Sequence, residues 1–137
     1  MLLDFDPAVE NRIMVCITPQ KSCERLIKKG AERARETKGE FCVVYVNKTN
    51  DVSKDLKENT ILLDLFNEAQ KYGGRVSIIV GKNIPETLAE FAKKNNVKEI
   101  IVGKSSRTFL EVITKGDIVN PLKRIVEKND IVVHVIE

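Results

Sequence analysis

The sequence predicts an open, doubly wound α/β fold in which five parallel strands, in the order 3-2-1-4-5, carry helices on both faces. Three observations predict it. Short runs rich in valine and isoleucine are apolar at consecutive positions, as strands covered on both faces must be. Segments with helical apolar spacing alternate with those runs. Little sequence lies outside the two patterns, so right-handed crossovers between parallel strands lead to this sheet order.

Arg12 to Thr18 reads as the first strand, Glu40 to Asn47 as the second and Arg75 to Val80 as the third. Glu99 to Gly103 reads as the fourth and Asp130 to Ile136 as the fifth. The first helix presents Leu26, Ile27, Gly30, Ala31 and Ala34 as one stripe, and the second presents Ile61, Leu62, Leu65, Phe66 and Ala69. A third helix begins at Asn83, which with Glu86 forms a capping box, has Pro85 in its first turn, and buries Leu88, Phe91 and Ala92. The fourth buries Ile118, Val119, Leu122, Ile125 and Val126. Met1 to Asn11 is read as an extension or linker, and residues 12–137 as one domain.

Composition narrows the function. A chain of 137 residues is long enough for one real core and too short for two. Its 23 basic and 20 acidic residues include no long basic block, which argues against nucleic acid as a partner. No apolar run approaches the roughly 18 residues of a membrane span, and the start of the chain carries acid where a signal peptide carries base. A cytoplasmic domain without membrane contact of its own is expected. Cys16, Cys23 and Cys42 lack metal-binding or redox spacing and are read as ordinary thiols, the first and last buried in strands. His134 stands in an apolar strand with no second ligand nearby in sequence, so it is read as structural.

In a sheet of this order, ligands bind beyond the carboxyl ends of the strands where the winding reverses, here between strands one and four. The loops meeting there are Thr18-Pro19-Gln20-Lys21-Ser22 and Lys104 to Gly116. Strand four ends in Gly103-Lys104-Ser105-Ser106-Arg107, and Gly116 with Asp117 then opens a helix. Strand, polar loop, glycine and helix start form a phosphate cradle, because first-turn N–H groups lack intrahelical partners and glycine admits a close approach. Asp117 either caps that helix or belongs to the ligand site. Lys104, Arg107 and Lys115 either neutralise phosphate or form a solvated face, and Phe41 and Tyr45 share a strand face that serves either packing or base stacking. A Walker loop is excluded, since it needs glycine where Lys98 stands. The crevice loops also offer no set of metal-binding carboxylates for phosphoryl transfer, so a non-enzymatic role is expected.

Gly103, two residues, Ser106, nine residues and Gly116-Asp117 give a segment that resembles the nucleotide motif of the universal stress protein family, with Ser106 in place of a glycine and Asp117 in place of a hydroxyl residue. The resemblance extends from Arg12 to Ile136 and implies a Rossmann-like fold and adenine-nucleotide binding. Within the family, Arg12 to Ile17 followed by Glu24-Arg25-Leu26-Ile27, Ile101 to Ser105, and Val133-His134-Val135-Ile136 resemble the domain inside KdpD-type potassium-sensing histidine kinases. Some of those domains bind cyclic di-AMP through a motif whose register here gives Thr18-Pro19-Gln20, twenty residues, then Phe41 to Tyr45. The resemblance thus implies a regulatory, osmosensing domain of a two-component kinase with cyclic di-AMP or ATP as ligand. It names Thr18, Gln20, Phe41, Tyr45, Gly103, Lys104, Ser106, Arg107, Gly116 and Asp117 as site residues. The alternatives are a stand-alone ATP-binding stress protein and a degenerate domain that packs against other segments. The family resemblance also implies association through the fifth strand, with a second copy or an adjoining kinase domain.

Overall fold

The computed structural model describes residues 11–47, 56–103 and 119–136. Within them lie strands β1 (Arg12–Ile17), β2 (Glu40–Asn47), β3 (Arg75–Val80), β4 (Glu99–Gly103) and β5 (Val132–Ile136). The helices are α1 (Glu24–Thr37), α2 (Leu56–Lys71), α3 (Ile84–Lys94) and α4 (Val119–Glu127), and a 3-10 turn, Lys21–Cys23, precedes α1. The sheet is parallel and ordered β3-β2-β1-β4-β5. Three strands begin and end where the sequence predicts. The first and last are shorter: Thr18 turns its N–H to the Cys23 sulfur at 3.4 Å instead of continuing a ladder, and Asp130 sits at φ +56°, a turn conformation closed to a strand.

Every residue of β1 is buried, because helices cover both of its faces. On one face, Ile13, Val15, Ile17, Phe41, Val43 and Ile101 pack against Leu26, Ile27, Ala31 and Ala34 of α1 and Leu62, Leu65 and Ala69 of α2. On the other, Met14, Cys16, Cys42, Val44, Ile100 and Val102 pack against Leu88, Phe91 and Ala92 of α3 and Leu122 and Val126 of α4. The two strand edges differ from this interior: Ile78 and Val80 of β3, and Val132 of β5, are exposed.

Local chemistry sets the ends of the helices. The Glu86 N–H donates to Asn83 Oδ1 at 3.1 Å, the cap read from the sequence, with Pro85 in the first turn. The first helix closes on Lys38 in the left-handed region, its N–H turned back to the Ala34 and Arg35 carbonyls. Gly30 lets α1 lie close on β1: a methyl placed there would come within 2.5 Å of Val15 Cγ2.

Candidate functional site

Backbone pairing ends unevenly at the winding reversal. The β1–β2 ladder continues to the Ile17–Tyr45 pair, whereas the β1–β4 ladder stops at Val15–Ile101. Since β1 ends at Ile17 and β4 at Gly103, the two strands lose their pairing before either ends. The shorter of the two ladders thus lies at the winding reversal, where sheets of this order bind ligands.

One wall is the loop after β1. Thr18 is buried, and its hydroxyl lies 3.3 Å from Gln20 Oε1 and 3.6 Å from the Cys23 sulfur. Gln20 N–H donates to the Thr18 carbonyl at 2.7 Å, and Cys23 N–H to the Gln20 carbonyl at 3.0 Å. The loop is thus fixed by its own hydrogen bonds before α1 begins. Cys23 braces it and is itself buried. Cys16 and Cys42 are core thiols, both pushed up by burial, Cys42 to about 12, and so are unreactive at neutral pH.

The opposite wall begins at Gly103, half-buried at the end of β4 beside Ile136 of β5. Tyr45 stands half-buried beside the end of β1 and packs against the α1–α2 core. Phe41 lies apart from the strand ends. It pairs with Ile13 near the amino ends of the strands, is only 3% exposed, and its ring packs beside Gly74. Four residues of strand place it about 13 Å below Tyr45, so it packs the core and does not reach the crevice. Lys104, Ser106, Arg107, Gly116 and Asp117 lie outside the described residues, as does Lys115.

Two polar features escape the sequence reading. Arg25, in the first turn of α1, brings its Nη2 to 3.7 Å from the point where a Cβ on Gly103 would stand. The sequence shows Arg25 only as a polar position in an amphipathic helix. At the other end of the sheet, Glu99 is 7% exposed and collects three side chains. Arg33 Nε donates to Oε1 at 2.8 Å, Asn11 Nδ2 donates to Oε2 at 2.7 Å, and His134 Nε2 lies 2.7 Å from Oε1. Burial opposes the Glu99 charge, but the hydrogen bonds from Arg33, Asn11 and His134 prevail and hold its carboxyl below the usual range. His134 is structural, as expected, but through this carboxylate. Its only sequence signal is an acid opening an apolar strand. Among the described residues no group of three or more histidine, cysteine or acidic side chains is placed to hold a metal, and no helix is long and apolar enough to cross a membrane.

A five-stranded parallel sheet in this order, with helices on both faces, defines the class of doubly wound α/β domains. The chain belongs to the universal stress protein family, whose model matches residues 10–134. It is 27% identical over 118 residues to the sensor protein KdpD of Clostridium acetobutylicum, a match covering 84% of this chain and 13% of that protein. A putative sensor protein KdpD from Synechocystis is 26% identical over 117 residues, covering 85% and 31%. The chain thus spans less than a third of either relative. Among solved structures, a universal stress protein from Archaeoglobus fulgidus superposes with a TM-score of 0.69 at 20% identity, over 94% of this chain and 95% of its own. One in complex with cAMP gives 0.70 at 14% identity, over 95% and 98%. An Archaeoglobus fulgidus protein in complex with dAMP gives 0.67 at 21%, over 94% and 99%.

Proposed function

We propose that this chain is a non-catalytic, nucleotide-sensing domain of the kind found in KdpD sensor kinases, with an adenine mononucleotide in the crevice between β1 and β4. The observation that carries the proposal is the early end of the β1–β4 ladder, with Thr18, Gln20 and Gly103 flanking the opening. The family membership, the similarity to two KdpD proteins, and the likeness to relatives holding cAMP and dAMP support the same reading. Lys104, Ser106, Arg107, Gly116 and Asp117 complete the proposed site on sequence grounds.

Between ligands, a mononucleotide such as AMP or ATP is favoured over cyclic di-AMP, because the Phe41 ring belongs to the core. Signalling follows from differential affinity: the nucleotide shifts the equilibrium between two arrangements of the domain and its neighbour only if it binds one more tightly. The neighbour meets the exposed β5 edge, where a second copy of the chain is the alternative partner. No catalytic step is assigned to the crevice, and a parent kinase would carry its chemistry elsewhere.

Thermal-shift screening with AMP, ATP, cAMP and cyclic di-AMP, followed by calorimetry, tests the assignment. We expect a mononucleotide to raise the melting temperature and bind one per chain. A stabilising response to cyclic di-AMP alone would replace the ligand. Silence toward all four at millimolar concentration would leave a domain that only packs against its neighbours.

A further inference from the structure

We infer that the acidic, apolar segment preceding β1, residues 1–10 of this chain, docks in a basic-rimmed cavity between the ends of α1 and α2, with Phe5 as its anchor. The cavity opens beside the amino end of β2, whereas the proposed nucleotide lies beyond the carboxyl ends of β1 and β4, so the two sites are independent. Cavity, charge and chain path each point to this occupant.

The cavity has a volume of about 360 Å³. Buried Ala31, Ala34 and Phe41 give it an apolar wall, and Tyr72, 43% exposed, leaves an aromatic ring in water at its border. Covering that ring and wall with an apolar side chain removes both from water. Arg35 and Lys38, both exposed, supply the charge of the rim. Elsewhere on α1, Lys28 pairs with Glu24, Lys29 with Glu32, and Arg33 with Glu36 and Glu99. Neither Arg35 nor Lys38 has an ion-pair partner among the described residues. The one acid on the wall, Glu40, is already engaged by Arg12 at 3.5 Å and Arg75 at 3.9 Å. The cavity therefore fits an apolar group accompanied by acid.

The chain enters β1 at the lip of this cavity. The Glu40 N–H donates to the Asn11 carbonyl at 3.0 Å, and a methyl on Gly39 would come within 2.3 Å of the same oxygen. Gly39 and Glu40 both line the cavity, so the segment before Asn11 joins the fold beside it. Asn11 is itself held, its Nδ2 donating to Thr37 at 2.9 Å and to Glu99 at 2.7 Å. The segment reads Met1-Leu2-Leu3-Asp4-Phe5-Asp6-Pro7-Ala8-Val9-Glu10, with three acids and no base. It carries the chemistry the cavity fits: Phe5 for the apolar wall, and Asp4 and Asp6 on either side of it for Arg35 and Lys38. The six residues from Phe5 to Asn11 span up to roughly 20 Å when extended, which exceeds the width of a cavity of this volume.

NMR on the whole isotope-labelled chain tests the contact. We expect cross-peaks between the Phe5 ring and the methyl groups of Ala31 and Ala34 in wild type. Phe5→Ala should shift the amides of Lys38, Gly39 and Tyr72 and leave those of β4 and β5 in place. Arg35→Glu combined with Lys38→Glu should remove the Phe5 cross-peaks, and adding Asp4→Lys with Asp6→Lys should restore them, because the charges are then exchanged rather than lost. A wild-type spectrum in which the Phe5 ring touches neither alanine overturns the docking, whether or not the charge-reversed proteins fold. Cross-peaks seen only between differently labelled copies, growing with concentration, overturn it in favour of a second chain as the occupant. Cross-peaks of undiminished intensity after the double reversal overturn the pairing of acid with Arg35 and Lys38.

Discussion

Glu99 shows how one side chain can tie the amino end of the domain together. Its carboxylate joins Asn11, ahead of β1, to Arg33 of α1 and His134 of β5. Thr37 extends the set by accepting from Asn11 Nδ2 at 2.9 Å and donating to the Arg33 carbonyl at 2.8 Å. Because the folded state holds the Glu99 carboxyl below its unfolded value, its contribution is fully present above the unfolded pKa. It disappears as pH falls through the lowered folded value. Glu99→Gln should therefore cost on the order of 1–2 kcal/mol at neutral pH and flatten the loss of stability on acidification below the ordinary carboxylate range. Urea unfolding across that range reads both effects. An unchanged acid slope in the variant would show that other carboxylates set it.

At the scale of elements, the contact between α1 and β1 is governed by Gly30. Its Cα faces Val15, which is fully buried, and the ring of Phe41 lies beside the same point. Alanine is the better helix former by about 1 kcal/mol, yet a methyl 2.5 Å from Val15 Cγ2 has nowhere to go without lifting the helix. Gly30→Ala should destabilise the wild type by roughly 1–2 kcal/mol and be close to neutral in a Val15→Ala background, where room is restored. Denaturant midpoints of the four proteins form a double-mutant cycle. Additive losses would mean that Val15 is not what limits the approach. Since Arg25 and Leu26 ride on the same helix above Gly103, any lift of α1 should also be felt at the crevice.

For the molecule as a whole, the sheet order leaves two edges and one central reversal. On the β5 edge the exposed apolar residue is Val132, at 54%, whereas Val133 and Val135 pack partly against the α3–α4 core. Val132→Lys is therefore the substitution that tests association without emptying the core. We expect it to weaken any dimer, measured by sedimentation, and to leave nucleotide affinity within about twofold, because β5 pairs with β4 while the crevice lies on the far side of β4. A monomeric wild type at high concentration would leave only an adjoining domain for that edge. Lost nucleotide binding in a folded monomeric variant would join edge and crevice.

By itself the sequence determined the layers and the strand order. Burial on both faces writes consecutive apolar residues into β1 and β4, and burial on one side writes a stripe into each helix; such patterns are local and survive without knowledge of the fold. Even Asn83 as a cap is a local matter, a side chain satisfying an N–H three residues on. Depth along a strand and the meeting of distant polar groups are not written in any period. The spacing of Phe41 and Tyr45 gives them one face but not one end, and only the register with β1 puts Phe41 opposite Ile13 and Tyr45 opposite Ile17. Glu99 meets partners 66, 88 and 35 residues away. Those meetings belong to the tertiary structure, Arg25 reaching Gly103 because α1 packs against β4 as well as β1 and β2, since packing decides which side chains share a space after periodicity has decided only which way they face.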